Sequence, residues 1–349
     1  MRTITAEQRQ RLEDLSAEGL LKLPTSIAEK DIHVTDLLKG LSELVVEHDG
    51  FQNLDKRRES TRHDTEIVLV FSGGTCLAKA HRLIGRMSED IDIKVFLKPP
   101  ATPLSPKFGR RSRLKVLHDS ILGIFQRLDL PLISSGGRKS PHIRDQHRYC
   151  CIGAGYQSGY EPHASLRPEL QLELIERPPL LPIEKRTFGY LYENLTGLPQ
   201  TVEVSIHCIS VSETAAEKVL SLLRRCAWKW RGYQEGEMDQ ALVRHIYDVA
   251  RIAENASGAL GEAQGIFAAL VVKDRAEFAG QNPEFDADPV QVLRETLVQA
   301  KTHRELQARY EDTLLPLVYE ASSPSYARAF SIFEDVANSF LAACGDAAK

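Results

Sequence analysis

Residues 66–98 read EIVLVFSGGTCLAKAHRLIGRMSEDIDIKVFLK, and the rest of the chain is organised around this stretch. A short apolar, β-rich run at residues 67–71 is broken by the turn-forming residues 72–75. Residues 76–84 then carry apolar side chains at helical spacing, and residues 90–97 return to strand-like alternation. The pattern predicts a unit of strand, glycine turn, helix and second strand.

Two aspartates share one face of the second predicted strand. Because strand side chains alternate between faces, Asp90 and Asp92 lie opposite the apolar set Ile91, Ile93 and Val95. Carboxylates about 7 Å apart on one face repel each other, and burying both without a counter-charge is costly. A divalent cation removes both objections, so the pair is a candidate site for Mg²⁺ or Mn²⁺.

The glycine turn is a candidate phosphate site. Gly73 and Gly74 let backbone amides approach a ligand closely. The predicted helix begins at or just after Thr75, and its N–H groups and positive dipole end favour phosphate. Lys79 lies one turn further along the same face. A lone glycine turn or a lone Asp-x-Asp is more often structural, but the two joined by one short helix favour transfer of a nucleotidyl or phosphoryl group.

These motifs resemble those of the polymerase-β-type nucleotidyltransferases, and most closely the AbiEii/MenT-like toxin group. The opening motif of the family, GG[ST]-x-L-x-K, and its acidic motif, R-x-S-x-D-[IL]-D, are matched by Gly73, Gly74, Thr75, Leu77 and Lys79, then by Arg86, Ser88, Asp90 and Asp92. A second family signature is matched at residues 217–225 and 244–249, with His245 in place of the usual aspartate.

The resemblance implies an α/β fold: a small mixed β-sheet nucleotidyltransferase core flanked by helices, with a helical C-terminal domain. Residues 1–209 would form the nucleotidyltransferase domain with an N-terminal helical cap, and residues 210–349 a helical domain that contributes to the active-site cleft. The implied activity is Mg-dependent transfer of NMP from an NTP to an acceptor hydroxyl. By the same resemblance, the acceptor is the 3′ end of tRNA and a cognate antitoxin exists, as in toxin–antitoxin or phage-defence systems.

The resemblance also assigns roles to individual residues. Asp90 and Asp92 would hold the metal. The triphosphate would be held or neutralised by Gly73, Gly74, Thr75, Lys79, Ser88 and Lys218, and Asp248 would belong to the same nucleotide site. Without the resemblance, Lys218 is an ordinary helical lysine, and Asp248 is an ion-pair partner for Arg244 four residues before it.

A third carboxylate comes from the segment LQLELIE at residues 170–176. Its leucines alternate, which predicts a strand with Glu173 on the polar face. In this family a strand beside the Asp-x-Asp strand supplies such a carboxylate, so Glu173 would complete the metal shell or accept the proton of the attacking hydroxyl. A plain exposed glutamate is the alternative, and Gln171 stands where the family often has a basic residue.

The acceptor is the least determined feature. A formal net charge of −4 gives no global attraction to nucleic acid, so RNA would need a local basic surface. The first candidate is the helix predicted over residues 110–128, with Arg110, Arg111, Arg113 and Lys115; a solvated helix face explains it equally. The next is CAWKWRGY at residues 226–233, which is better explained by aromatics packed inward. Modification of a protein or a small molecule remains an alternative, as does a catalytically idle nucleotide-binding module.

The remaining sequence predicts mostly helices. Residues 5–18 and 31–48 have helical patterns, with the polar run at residues 55–64 as a solvated connection. Six cysteines without a CxxC pair favour a reducing cytoplasm. No apolar stretch approaches the length of a membrane span. A zinc site from His142, His147, Cys150 and Cys151 is not favoured, because adjacent cysteines rarely ligate one ion together.

Overall fold

The computed structural model describes residues 1–54, 57–64, 66–99, 109–134, 139–234 and 239–345, and for residues 48–65 only the backbone is considered. The chain divides into two compact units. The first comprises Met1–Ala80 and Ser88–Ile209, and the second comprises His81–Met87 and Ser210–Lys349. The short insertion from the second unit therefore interrupts the stretch that carries both core motifs.

The first unit is built on strands. In chain order they are β1 (Glu47–Leu54), β2 (Arg57–Asp64), β3 (Ile67–Ser72), β4 (Asp90–Leu97), β5 (His142–Arg144), β6 (Tyr149–Ala154), β7 (Leu170–Glu176), β8 (Glu184–Phe188) and β9 (Val204–Cys208). The first two form a separate antiparallel hairpin, and the other seven form one sheet in the order β5-β6-β7-β4-β3-β9-β8. The pairs β4–β7 and β3–β9 are parallel and the rest are antiparallel, so the sheet is mixed, as predicted.

The apolar faces of the central strands build the core of the first unit. In β4, Ile91, Ile93 and Val95 are buried, whereas Asp90 and Asp92 on the opposite face are half-buried. In β7, Leu170, Leu172 and Leu174 are buried in the same way. The predicted alternation is confirmed in both strands.

Helices flank this sheet. They are α1 (Ala6–Ala17), α2 (Thr25–Ser42), α3 (Gly73–Lys79), α4 (Arg110–Arg127) and α5 (Leu191–Thr196). The predicted helices at residues 5–18 and 110–128 are confirmed. Thr5 and Gln8 form a capping box at the start of α1.

Three expectations for the first unit were wrong. The helix expected at residues 31–48 is α2, which ends at Ser42, and the run expected to be a connection pairs as β2 with β1. Polar residues carry no amphipathic signal, yet backbone hydrogen bonds alone can hold a hairpin ladder. Residues 55 and 56 lie outside the described part of the chain. The other error concerns α3, which begins at Gly73 and ends at Lys79 instead of continuing to Ile84.

The second unit is helical, as predicted for the C-terminal region. Its helices are α6 (Val211–Trp230), α7 (Arg244–Asn255), α8 (Ala259–Glu277), α9 (Pro283–Ala287), α10 (Pro289–Ala300), α11 (Arg304–Arg309) and α12 (Tyr326–Ala343). The Ser210 hydroxyl accepts the Glu213 N–H at 3.1 Å and so caps the N-terminus of α6. Across the described ranges, no helix is long and apolar enough to cross a membrane.

Candidate active site

The glycine turn lies directly against the acidic strand. Gly73 has a φ of +76°, a conformation that glycine adopts without strain. A Cβ at this position would collide with the carboxylate of Asp92. Ser72, which pairs with Asp92 in the ladder, also donates its hydroxyl to the Asp92 carbonyl at 3.1 Å. Because Gly73 has no side chain, the Asp92 carboxylate can lie directly against its backbone.

Two hydroxyls lock α3 to the start of β4. Thr75 is fully buried, and its hydroxyl donates to the Asp90 carbonyl. Because one hydroxyl has one proton, Thr75 must accept from Ser88, whose Oγ lies 3.0 Å away. Through Thr75, both hydroxyls are tied to the backbone at the start of the acidic strand, and the predicted phosphate contact of Ser88 remains a prediction. The predicted phosphate contact of Thr75 would have to come from its backbone.

Three carboxylates share one face of two adjacent strands. The parallel register of β4 and β7 places Asp92 opposite Glu173 and Asp90 opposite Gln171. Glu173 is half-buried, so it lies on the polar face of β7 as predicted. Lys94, two residues beyond Asp92 on the same face, is buried and was not singled out from the sequence.

Neighbouring side chains orient two of these carboxylates. Arg167 Nη1 lies 2.7 Å from Asp90 Oδ1 and also 2.7 Å from Gln171 Oε1. Gln171 in turn donates to Glu173 Oε1 at 2.7 Å. A continuous row of charge-assisted contacts thus runs from the segment before β7 across the predicted metal ligands.

The donor chemistry at this face fits a hard divalent cation. Carboxylate oxygens are the ligands that Mg²⁺ prefers, and Asp90 and Asp92 lie half-buried on one face of β4. Among the residues that the structure describes, no group of three or more His, Cys, Asp or Glu side chains converges on one point as a metal cage would.

Lys79 has a buried counter-ion inside the first unit. Its Nζ lies 2.5 Å from Asp31 Oδ1, and the two side chains are 4% and 2% exposed. Asp31 also accepts the Leu191 N–H at 2.7 Å. The predicted contact of Lys79 with the triphosphate remains a prediction, and the structure adds a structural role as the cation that neutralises Asp31.

The sequence reading missed a buried run of charges in α2. Glu29, Lys30 and Asp31 are 1%, 0% and 1% exposed. Glu29 accepts from the Gly159 N–H at 2.8 Å, and Lys30 pairs with Glu89, the residue before the acidic pair. One signal was available: three charges stand between Ile27-Ala28 and Ile32, in the middle of an apolar helix. Charges in such a place are paired as a rule, because isolated buried charges are prohibitively costly.

The second unit joins the two family signatures through one aspartate. Arg86 binds Asp248 in a bidentate pair, with both N–O distances 2.7 Å, and Lys218 Nζ lies 2.7 Å from the same carboxylate. Burial alone would raise the pKa of Asp248, but Arg86 and Lys218 outweigh it and hold that pKa below its ordinary value. Arg86 and Lys218, which are distant from Asp248 in sequence, are therefore cations that neutralise it.

His245 stands beside this cluster. Its Nδ1 lies 3.5 Å from Lys218 Nζ. Burial first, and the positive charge of Lys218 second, lower its pKa well below the ordinary value, so the imidazole is neutral and can accept a hydrogen bond. A neutral ring here fits next to two cations that already share one carboxylate.

The short segment 81–87 is held by the C-terminal part of the chain. The Met87 N–H donates to the Leu317 carbonyl at 2.8 Å, and the Gly85 carbonyl accepts the Tyr319 N–H at 2.9 Å. A Cβ on Gly85 would crowd Glu320, so only glycine fits. Residues near the C-terminal end of the chain therefore hold the loop that separates the two core motifs in sequence.

The basic residues of α4 differ in burial and in the groups they contact. Arg113 is buried and donates to the carbonyls of Glu66 and Lys98, so it is excluded from an exposed RNA surface. Arg110 pairs with Glu176. Of the predicted set within the described residues, Arg111 and Lys115 are exposed without such a contact.

The aromatic segment at the end of α6 packs inward, as favoured. Trp228 is buried edge-to-face on Phe285, and Trp230 stacks on His303 with ring centroids 4.4 Å apart.

Of the residues considered for a zinc site, Cys150 lies in β6. Burial raises the pKa of its thiol to about 12, which keeps the thiol protonated.

Comparison with known proteins identifies the family of this chain. Residues 59–332 match the family model described as "Nucleotidyl transferase AbiEii toxin, Type IV TA system". The chain therefore belongs to the AbiEii family of nucleotidyltransferase toxins of type IV toxin–antitoxin systems. A search of curated proteins found no match.

A solved structure shares the fold. MenT4, a nucleotidyltransferase toxin from Mycobacterium tuberculosis, aligns with a TM-score of 0.51 and 18% sequence identity, over 91% of this chain and 84% of that one. The predicted fold class is confirmed by this likeness and by the mixed sheet.

The Lys79–Asp31 pair gives a direct test of what Lys79 does. Lys79→Met is expected to lower the free energy of unfolding by about 3–5 kcal/mol, because it leaves Asp31 buried without a cation. Denaturant unfolding measures this. The double variant Lys79→Met/Asp31→Asn should recover much of the loss, since both charges are then gone.

Lys39→Met is the matched control for that test. Lys39 lies in α2 with an exposed partner, Glu43, so its loss should cost about 1 kcal/mol or less. Lys79→Met with the stability of this control would contradict the structural role of the pair. A double variant that regains stability but not NTP turnover, while Asp31→Asn alone keeps turnover, would support the predicted contact of Lys79 with the nucleotide.

Proposed function

We propose that this nucleotidyltransferase transfers an NMP group from an NTP to the 3′ end of tRNA in a reaction that depends on Mg²⁺. The observation that carries the proposal is the row of carboxylates on β4 and β7, with Asp92 against the side-chain-free backbone of Gly73. Nucleotidyl transfer requires metal ligands close to a phosphate-binding turn, and the glycine turn is the candidate for the latter. The proposed catalytic domain is residues 1–209, followed by the helical domain at residues 210–349.

In the proposed reaction, the acceptor oxygen attacks the α-phosphorus of the NTP. The bond from that phosphorus to the bridging oxygen of the β-phosphate breaks, and pyrophosphate leaves. Bound Mg²⁺ would supply charge stabilisation on the phosphate oxygens. Asp90 and Asp92 would hold it, and Glu173 would complete its shell or take the hydroxyl proton.

The remaining nucleotide contacts are proposed from the family motifs. The backbone of Gly73, Gly74 and Thr75 would hold the β- and γ-phosphates. Lys218 and Asp248 lie in the second signature, and the family resemblance alone assigns both to the nucleotide site; their buried ion pair would fix the position of the Lys218 side chain. We also propose that the protein acts in the cytoplasm, where NTPs and tRNA occur, and that a cognate antitoxin opposes it, as the family description implies.

The proposal is tested by incubating the protein with total tRNA and each labelled NTP in Mg²⁺. Label that enters tRNA and is released by ribonuclease supports it. Label that enters protein and survives ribonuclease would instead favour modification of a protein hydroxyl. No turnover of any NTP with either acceptor would favour an idle nucleotide-binding module.

The RNA surface is proposed to include Arg111 and Lys115. Replacing both with Gln is expected to reduce the slope of log affinity for tRNA against log salt by about 0.7 to 0.9 per lost phosphate contact. NTP binding should stay unchanged, because its phosphates are assigned to the glycine turn. The measurement is tRNA affinity at a series of salt concentrations.

The matched control for this test is Lys185→Gln/Arg186→Gln. Both residues are exposed on β8 of the same unit, so the change in net charge is the same. Equal salt slopes for the two double variants would remove Arg111 and Lys115 from the RNA site.

A further inference from the structure

Arg167 contacts the first of the proposed metal ligands. Its Nη1 lies 2.7 Å from Asp90 Oδ1, and the two side chains are 35% and 23% exposed. The same nitrogen reaches Gln171, which connects onward to Glu173. A cation that solvent can reach therefore occupies the acidic face, and no family motif quoted above includes it.

The backbone of Arg167 is held on both sides. Its N–H donates to Glu89 Oε2 at 2.9 Å, and its carbonyl accepts from Lys30 Nζ at 2.5 Å. Lys30 and Glu89 themselves form a buried ion pair, with side chains 0% and 3% exposed. The Cα of Arg167 is thus fixed by buried contacts, while its long, partly exposed side chain can exchange one partner for another.

Arg167 and a divalent cation would compete for the Asp90 carboxylate. A guanidinium in contact with Asp90 repels a cation that binds the same oxygen, because like charges at such short range are unfavourable. A triphosphate offers the arginine a new anion of matching geometry, since guanidinium groups bind phosphate in bidentate fashion.

We propose that Arg167 is a nucleotide-binding residue that neutralises Asp90 before the metal binds and contacts a phosphate group of the NTP afterwards. This rests on the proposed function, because it takes Asp90 and Asp92 as the metal ligands. Arg167 would therefore weaken metal binding in the absence of nucleotide and strengthen nucleotide binding in its presence. A residue that only supports the fold would change both affinities in the same direction.

The test measures two affinities on the full chain without turnover. The first is Mn²⁺ affinity alone, by electron paramagnetic resonance titration. The second is the affinity for non-hydrolysable α,β-methylene analogues of the four NTPs in Mg²⁺, by calorimetry. Arg167→Gln is expected to tighten Mn²⁺ binding about two- to fivefold, the worth of a partly exposed ion pair. It is expected to weaken analogue binding about 10- to 150-fold, the worth of a charged hydrogen bond.

Two further variants make the result specific. Arg148→Gln removes an arginine that pairs with Glu176 on the same strand as Glu173, and it should change neither affinity. Arg167→Lys keeps the charge but loses the planar fork, so its Mn²⁺ affinity should stay near that of the wild type while analogue binding falls partway. The thermal midpoint of each variant verifies that it is folded.

The outcomes distinguish failure of the role proposed for Arg167 from failure of the proposed function. Unchanged or weaker Mn²⁺ binding in Arg167→Gln, or unchanged analogue binding, overturns the role of Arg167. If Asp92→Asn leaves wild-type Mn²⁺ binding intact, the acidic pair is not the metal site, and the proposed function itself fails.

Discussion

Asp90→Asn and Asp92→Asn are each expected to lower nucleotidyl transfer by about a thousandfold or more while the first unit stays folded. Metal-held charge stabilisation contributes several kcal/mol to such a transition state, and each 1.4 kcal/mol is roughly a factor of ten in rate. Both aspartates are half-buried on the polar face of β4, so neither substitution disturbs the apolar core. Single-turnover rates at limiting Mg²⁺ measure the effect.

Asp129→Asn is the control for these variants. It removes the same charge from the first unit at an exposed position that pairs with the amino terminus of the chain. It should retain the wild-type rate and Mn²⁺ affinity. Near-wild-type turnover of either Asp90→Asn or Asp92→Asn at limiting Mg²⁺ would show that the metal assignment is wrong.

Asp248→Asn is expected to lower the free energy of unfolding by about 3–5 kcal/mol. The substitution keeps the shape of the side chain but leaves Arg86 and Lys218 buried around a neutral group. Glu334→Gln, which breaks a partly exposed pair with Lys301 in the same unit, should cost about 1 kcal/mol or less. Denaturant unfolding of both variants measures the difference, and equal losses would contradict the structural importance of the buried cluster.

The difference in unfolding free energy between wild type and Asp248→Asn is also expected to depend on pH. The pKa of Asp248 is lowered in the folded protein, so the folded state binds fewer protons at this group than the unfolded state does. Its contribution is fully present above the unfolded pKa of about 4 and is lost as pH falls towards the folded value. The stability gap between wild type and Asp248→Asn should therefore narrow below about pH 4. A gap that stays constant down to pH 2 would contradict this assignment.

Local pattern was enough for the central unit of the fold. The alternation in Asp90–Leu97 and Leu170–Glu176 predicted both strands and the face of each, because burial on one side of a sheet imposes a period of two. The family motifs led to the nucleotidyltransferase fold and to the family itself. The polar hairpin at β1 and β2 was missed, since its residues carry no amphipathic period.

What each charged group contacts was decided by the tertiary structure. Lys79 and Asp31 are 48 residues apart in sequence, Arg167 and Asp90 are 77 apart, and Arg86 and Asp248 are 162 apart. Sequence spacing placed Lys79 on a helix face and Asp248 beside Arg244, because periodicity reports only local neighbours. The buried partners follow from which elements pack together. The sequence by itself therefore determined the family, the central strands β4 and β7 and the acidic face, whereas long-range packing determined which cation neutralises each carboxylate.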